Sequence, residues 1–117
     1  MIPRYSKPQM SEVWSEKTKL DTWLAIEVAA CEALFQLGEI PESDILTIKE
    51  KAGYDLERVQ TIEKEVKHDV IAFLTAVAEK VGPSSRFIHQ GLTSSDVLDT
   101  GLAIQMRQAA VLIENLL

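Results

Sequence analysis

Residues 16–37, EKTKLDTWLAIEVAACEALFQL, decide the fold class. Within them Leu20, Trp23, Leu24, Cys31, Leu34 and Phe35 recur at spacings of three and four, the rhythm with which an α-helix returns to one face. No glycine or proline interrupts the stretch, and Gly38 follows it as the left-handed residue on which helices commonly end. A strand would need strict apolar and polar alternation, and none of useful length occurs anywhere in the chain.

The same reading extends outward from that helix. Pro3 and Pro8 mark an extended start, and Ser11 is placed to cap a brief helix through Trp14. On the other side, Pro41 suits the first turn of a short helix bearing Ile45, Ile48 and Ala52 and closed by Gly53. Asp55 caps a segment carrying Leu56, Val59, Ile62 and Val66. Val70, Phe73, Leu74, Val77, Ala78 and Val81 then form a helical stripe ended by Gly82 and Pro83, and the two segments meet at Lys67-His68-Asp69. Residues 82–94 read as a loop with one helical turn at Ser85 to Ile88. Thr93 or Ser94 caps a last helix whose first turn holds Asp96 and whose expected core stripe is Leu98, Leu102, Met106, Ala109, Leu112, Ile113 and Leu116. The expectation is an all-α fold. At 1.5 Å per residue the last helix would run for roughly 36 Å, with no glycine, proline or basic final turn to stop it, so the sequence is expected to be a piece of a longer protein.

Composition narrows the function. A length of 117 residues fits one domain, and 46% apolar with 26% charged residues is the balance of a globular chain rather than a disordered one. Eighteen acidic against twelve basic residues leave a net charge of −6, which repels a phosphate backbone, so nucleic acid is not an expected partner. No run approaches the roughly 20 apolar residues of a membrane span, and the first residues lack the apolar core of an export signal, so the expected location is cytoplasmic. Cys31, the one cysteine, lies among apolar neighbours and is expected to be a reduced, packed thiol.

Candidate chemistry falls at helix boundaries. His68 precedes the Val70 helix, where backbone N–H groups and the positive end of the dipole favour an anion and disfavour imidazolium. A solvated helix-end histidine, with Lys67 paired to Glu63, is the plainer alternative. His89 lies in His89-Gln90-Gly91-Leu92-Thr93-Ser94-Ser95-Asp96, where a glycine permits close backbone approach and hydroxyl side chains open a helix; an ordinary cap after a turn explains the same residues. The two histidines and the distant cysteine match no zinc spacing, so no metal is expected. No nucleophile elbow supports a Ser-His-Asp triad. Glu27 falls on the apolar stripe of the long helix, and a contact at an oligomer interface or with a partner helix is expected to hold it.

Four blocks carry a resemblance across the whole chain: Met1-Ile2-Pro3-Arg4-Tyr5-Ser6 with Met10 and Trp14; Trp23-Leu24-Ala25-Ile26-Glu27 continuing to Ala30-Cys31-Glu32-Ala33; Ile62-Glu63 leading to Lys67-His68-Asp69-Val70-Ile71-Ala72-Phe73; and His89-x-Gly91-Leu92-Thr93-Ser94-Ser95-Asp96-Val97 with Asp99-Thr100. In this order they resemble the N-terminal part of the adenylosuccinate lyase family, within the fumarase and aspartase superfamily. The last block alone is shared with neighbouring lyases and cycloisomerases, whereas the Arg-Tyr and His-Asp-Val blocks point to the narrower family.

The resemblance implies a cofactor-free elimination in purine biosynthesis. Fumarate leaves N6-(1,2-dicarboxyethyl)-AMP to give AMP, and leaves the succinylaminoimidazole carboxamide ribotide in the parallel step. By the family pattern Arg4 and Tyr5 bind the nucleotide, Lys67, His68 and Asp69 line the site, and Thr93 and Ser94 contact the dicarboxylate. His68 assists the acid at the leaving nitrogen, and His89 contacts phosphate or carboxylate. Position 67 is often arginine in the family, and Lys67 keeps the charge without the two-pronged geometry. The family's base, a serine on a mobile loop, and its principal acid, a histidine, come from later sequence, so the isolated 117 residues are expected to be inactive. The resemblance also implies a homotetramer whose sites draw on three subunits. Residues 1–93 would form the N-terminal helical domain of that fold and 94–117 the start of a central bundle of long helices. The starts of the two helices near His68 and Thr93 are expected to converge on the substrate. Two other readings compete: a helical interaction module without chemistry, and a superfamily relative acting on another succinyl or muconate substrate.

Overall fold

A computed structural model describes residues 7–116, and among them every regular element is helical: α1 (Pro8–Val13), α2 (Glu16–Gln36), α3 (Glu42–Lys51), α4 (Leu56–Val66), α5 (Asp69–Val81), a 3-10 segment (Gly82–Phe87) and α6 (Ser94–Leu116). Local chemistry sets most of the boundaries. The Ser15 side chain accepts the N–H of Thr18 to open α2. At its other end Gly38, at φ +81°, lets its own N–H reach Phe35 O and the N–H of Glu39 reach Leu34 O, the paired bonds of a Schellman ending. Asp55 caps α4 through the N–H of Glu57, as expected.

Other ends differ from the sequence reading. α1 begins at Pro8, whose missing N–H costs nothing in a first turn, so Ser11 lies inside the helix and donates its N–H to Lys7 O. Pro41 occupies the N-cap position of α3 rather than its first turn, and Ala52 ends that helix in an extended conformation, so Gly53 is not its left-handed stop. The turn after α5 starts at Gly82 and runs as a 3-10 helix to Phe87. It is tied back to α3 by the Ser84 hydroxyl, which donates to Asp44 Oδ1 at 2.7 Å.

The core gathers around Trp23. Its indole meets Phe73 from α5 edge-on at 5.6 Å between centroids and 84° between planes, and Tyr54 also packs on Phe73, at 5.8 Å and 61°. Leu20, Ile45, Ile48, Val59, Ile62, Val70, Val77 and Val97 fill the space between α2, α3, α4, α5 and α6. α6 approaches α2 closely at Gly101, where an added Cβ would lie 3.0 Å from Trp23 Cδ1.

That approach overturns the expected stripe of α6 except at Ala109, which is buried as expected. Its buried residues are Val97, Gly101, Gln105 and Ala109, while Leu98, Leu102, Met106, Ile113 and Leu116 are exposed. The two rows are neighbours on the helix, and steric fit chooses between them. The indole demands a residue without a side chain, and the open carbonyl of Val13 at the end of α1 demands a donor, which Gln105 Nε2 supplies at 2.8 Å. No helix among the described residues is long and apolar enough to cross a membrane.

Candidate active site

Lys67, His68 and Asp69 form the turn that reverses the chain from α4 into α5. Lys67 ends α4 in the left-handed region at φ +55°, its N–H bonded to Glu63 O. His68 then becomes the N-cap of α5, and its Nδ1 accepts the N–H of Ile71 at 3.2 Å. A ring nitrogen that accepts carries no proton, so the neutral imidazole holds its proton on Nε2. Nε2 makes no hydrogen bond among the described residues, and the half-exposed ring leaves it open to a ligand.

Asp69 Oδ1 accepts the N–H of Val70 at 2.8 Å. The expectation of open backbone donors at this helix start is corrected for two amides, since Asp69 and His68 already occupy those of Val70 and Ile71, while the N–H of Asp69 has no acceptor among the described residues. Beside that amide the turn carries the ring N–H of His68 and the ammonium of Lys67. The plainer pairing of Lys67 with Glu63 is a backbone contact, with no side-chain bridge between them among the described residues.

A lysine held left-handed where glycine is usual is strained by about 1 kcal/mol, and such strain commonly marks a functional position. Lys67→Gly should therefore stabilise the fold by about 0.5–1 kcal/mol while weakening binding of an anionic ligand. Thermal melts and steady-state kinetics on the same protein check both halves.

His89 also sits at positive φ, +66°, with Gly91 at +78° two residues on. Open space surrounds the Cβ position of Gly91, so its backbone angle and not a close approach is what calls for glycine there. The loop carries His89 Nδ1 to 2.6 Å from Glu27 Oε1 on α2. This corrects the expectation for Glu27: its partner is a histidine of its own chain. The carboxylate is 2% exposed, its other oxygen, Oε2, is buried with no partner among the described residues, and a carboxylate oxygen can only accept, which places a proton on His89 Nδ1. The two histidines are thus held in opposite patterns, His68 with Nδ1 as acceptor and His89 with Nδ1 as donor. Next to this pair, burial pushes the Cys31 thiol up to about 11, helped by the charge of Glu27, and Sγ lies 3.6 Å from Phe87 O, so Cys31 is a packed thiol.

At the start of α6 the cap runs opposite to the expected sense. Asp96 Oδ2 accepts the N–H of Thr93 at 2.9 Å and lies 3.5 Å from its hydroxyl, the reciprocal half of a capping box. The N–H groups of Ser94 and Ser95 have no acceptor among the described residues. A cavity of about 610 Å³ lies between α1, α2 and α6, lined by Glu12, Thr18 and Arg107, and includes none of the expected site residues. No group of three or more His, Cys, Asp or Glu among the described residues is placed to hold a metal ion.

The structure therefore joins Lys67, His68 and Asp69 in one turn, His89 with Glu27, and Thr93 and Ser94 with Asp96. No hydrogen bond or ion pair among the described residues links residues 67–69 with residues 89–96. Arg4 and Tyr5 lie outside the described residues. Glu27, Asp96 and the left-handed Lys67 were not singled out for these roles. The carboxylate on an apolar stripe was the legible signal for the first, and nothing in the sequence names its partner.

Comparison with known proteins adds a lineage to this geometry. The profile of a family described as Lyase matches residues 4–117. The chain is 57% identical to the adenylosuccinate lyase of Synechocystis sp. over 91% of its length and 45% identical to that of Bacillus subtilis over 93%. It is 46% identical to the adenylosuccinate lyase of Streptococcus mutans over 98%. It spans about a quarter of each of those proteins: 25%, 25% and 27%. Among solved structures, 3-carboxy-cis,cis-muconate lactonizing enzyme from Pseudomonas putida superposes with a TM-score of 0.83 at 29% identity, covering 95% of this chain and 27% of that one. A fumarate lyase from Mesorhizobium sp. shares the fold at a TM-score of 0.84 and 24% identity, over 94% of this chain and 27% of the other.

Proposed function

This chain belongs to the lyase family, and from that premise we propose that it forms the N-terminal quarter of an adenylosuccinate lyase. One observation carries the reading: relatives sharing about half of the residues bear that activity's name, while the muconate enzyme shares the fold at lower identity. The reaction is elimination of fumarate from N6-(1,2-dicarboxyethyl)-AMP, and from the corresponding carboxamide ribotide. A proton leaves the carbon beside one carboxylate, the carbon–nitrogen bond breaks, and the departing nitrogen needs a proton.

In this assignment the Nε2–H of His68 faces the leaving nitrogen and assists its protonation, with the acceptor bond at Nδ1 holding the ring in that tautomer. Lys67 supplies positive charge against the substrate's carboxylates, and Asp69 keeps α5 capped beside them. Thr93 and Ser94 receive the dicarboxylate, where the free amides of Ser94 and Ser95 support an anion. His89 contacts the phosphate or a carboxylate, and Arg4 and Tyr5 hold the nucleotide. The two helix starts converge on the ligand without touching each other.

A homotetramer in the cytoplasm completes the proposal. The exposed row Leu98, Leu102, Met106 and Ile113 is the kind of apolar surface that a bundle of long helices covers, and residues 94–117 would be its first strand of helix. Catalysis uses no cofactor. The test is fumarate release from adenylosuccinate by the natural-length protein, followed by absorbance. Arg4→Ala should raise KM more than about tenfold, the worth of one charge-assisted hydrogen bond, at nearly unchanged melting temperature. Turnover of a carboxymuconate in place of adenylosuccinate would overturn the assignment.

A further inference from the structure

We infer that Glu27 is a positioning residue for His89, fixing the ring's proton on Nδ1 and letting Nε2 take a second proton from solvent when an anionic oxygen of the substrate arrives. The inference rests on the assignment of His89 to substrate binding given above. Three observations carry it. First, Glu27 is 2% exposed on the middle of α2, a place where an ionised side chain persists only with a compensating partner, and the only polar contact to it among the described residues is His89 Nδ1 at 2.6 Å. Second, Glu27 Oε2 is left buried with no donor among the described residues, so the compensation those residues give the carboxylate comes through the imidazole. Third, His89 adopts φ +66°, a conformation that costs a residue with a side chain about 1 kcal/mol or more, and the bond to Glu27 is the long-range contact that holds it there.

The geometry leaves a division of labour inside one ring. Nδ1 is bound inward. Nε2 makes no hydrogen bond among the described residues, and the side chain is 20% exposed. A neutral imidazole with its proton on Nδ1 presents only a lone pair at Nε2, which repels an anionic oxygen. With a buried carboxylate on the other side, the second proton completes an ion pair, and the ring donates a charge-assisted hydrogen bond outward. Glu27 therefore acts on the substrate through His89, at a distance of one ring.

A structural role, tying the loop at His89 to α2, predicts something different, because Gln in place of Glu keeps the size and an accepting oxygen while removing the charge. In Glu27→Gln of the natural-length protein, KM for adenylosuccinate should rise tenfold or more, with kcat changed less than threefold and the far-ultraviolet helical signal intact. An unchanged KM in a folded Glu27→Gln protein would overturn the inference. The wild-type protein provides an independent check that needs no variant. Ring 15N shifts should show His89 protonated at Nδ1 in the free protein and at both nitrogens with AMP or inorganic phosphate bound. A ring protonated only at Nε2 would sink the inference. His89→Asn keeps the two hypotheses apart: normal KM in that variant refutes substrate contact by His89, whereas raised KM there with normal KM in Glu27→Gln refutes only the positioning role.

Discussion

Replacing His68 by alanine is expected to lower turnover of the natural-length protein by about 10²–10⁴-fold, the usual worth of a positioned proton donor. Alanine also removes the N-cap of α5, at about 1 kcal/mol of stability, so the variant mixes two effects. His68→Asn separates them. Asparagine is among the best N-cap residues and can accept the N–H of Ile71 as Nδ1 does, but it has no ring nitrogen to offer the leaving group. A protein with unchanged melting temperature and a turnover reduced as far as in the alanine variant is the expected outcome, read by fumarate absorbance and calorimetry. Wild-type turnover in His68→Asn would reduce His68 to a helix cap.

Trp23→Ala should be the most damaging change to the fold, costing about 3–5 kcal/mol, a large share of the 5–15 kcal/mol that holds a typical domain. The indole is 1% exposed and is the common contact of three helices: its own α2, α5 through Phe73, and α6 through Gly101. Removing it leaves a void that Gly101 cannot fill. Chemical denaturation followed by circular dichroism should show the midpoint falling steeply, and a loss below 1 kcal/mol would mean that α6 collapses onto α2 without the ring.

The helical class and α2 itself were legible because a period of three and four over more than twenty residues has one physical reading, and Gly38 ends it by a backbone angle that other residues resist. Lys67, His68 and Asp69 were legible as a helix boundary for the same reason. The site became less legible where partners are far apart in sequence. The contact of Glu27 with His89 spans 62 positions, and periodicity carries no information about it. The facing row of α6 was misread because hydrophobicity ranks Leu98 and Leu102 above Gly101 and Gln105, while packing against an indole rewards the absence of a side chain and a buried helix-end carbonyl rewards an amide donor. Caps differ in a related way: α1 is capped at Lys7, with Pro8 in its first turn, rather than at Ser11, and Thr93 does precede α6 but Asp96 supplies the side-chain bond there, since neighbouring polar residues compete for the same few N–H groups.

Because the covered and uncovered rows of α6 differ by a single step in sequence, the helix has almost no tolerance for insertions ahead of Gly101. One added residue within its first two turns would rotate everything beyond by about 100°, bringing Thr100 where the glycine stands and driving a β-branched side chain into the indole. Length variation among descendants of this sequence should therefore collect in the turns before Ser94, where an extra residue leaves the helix phase untouched.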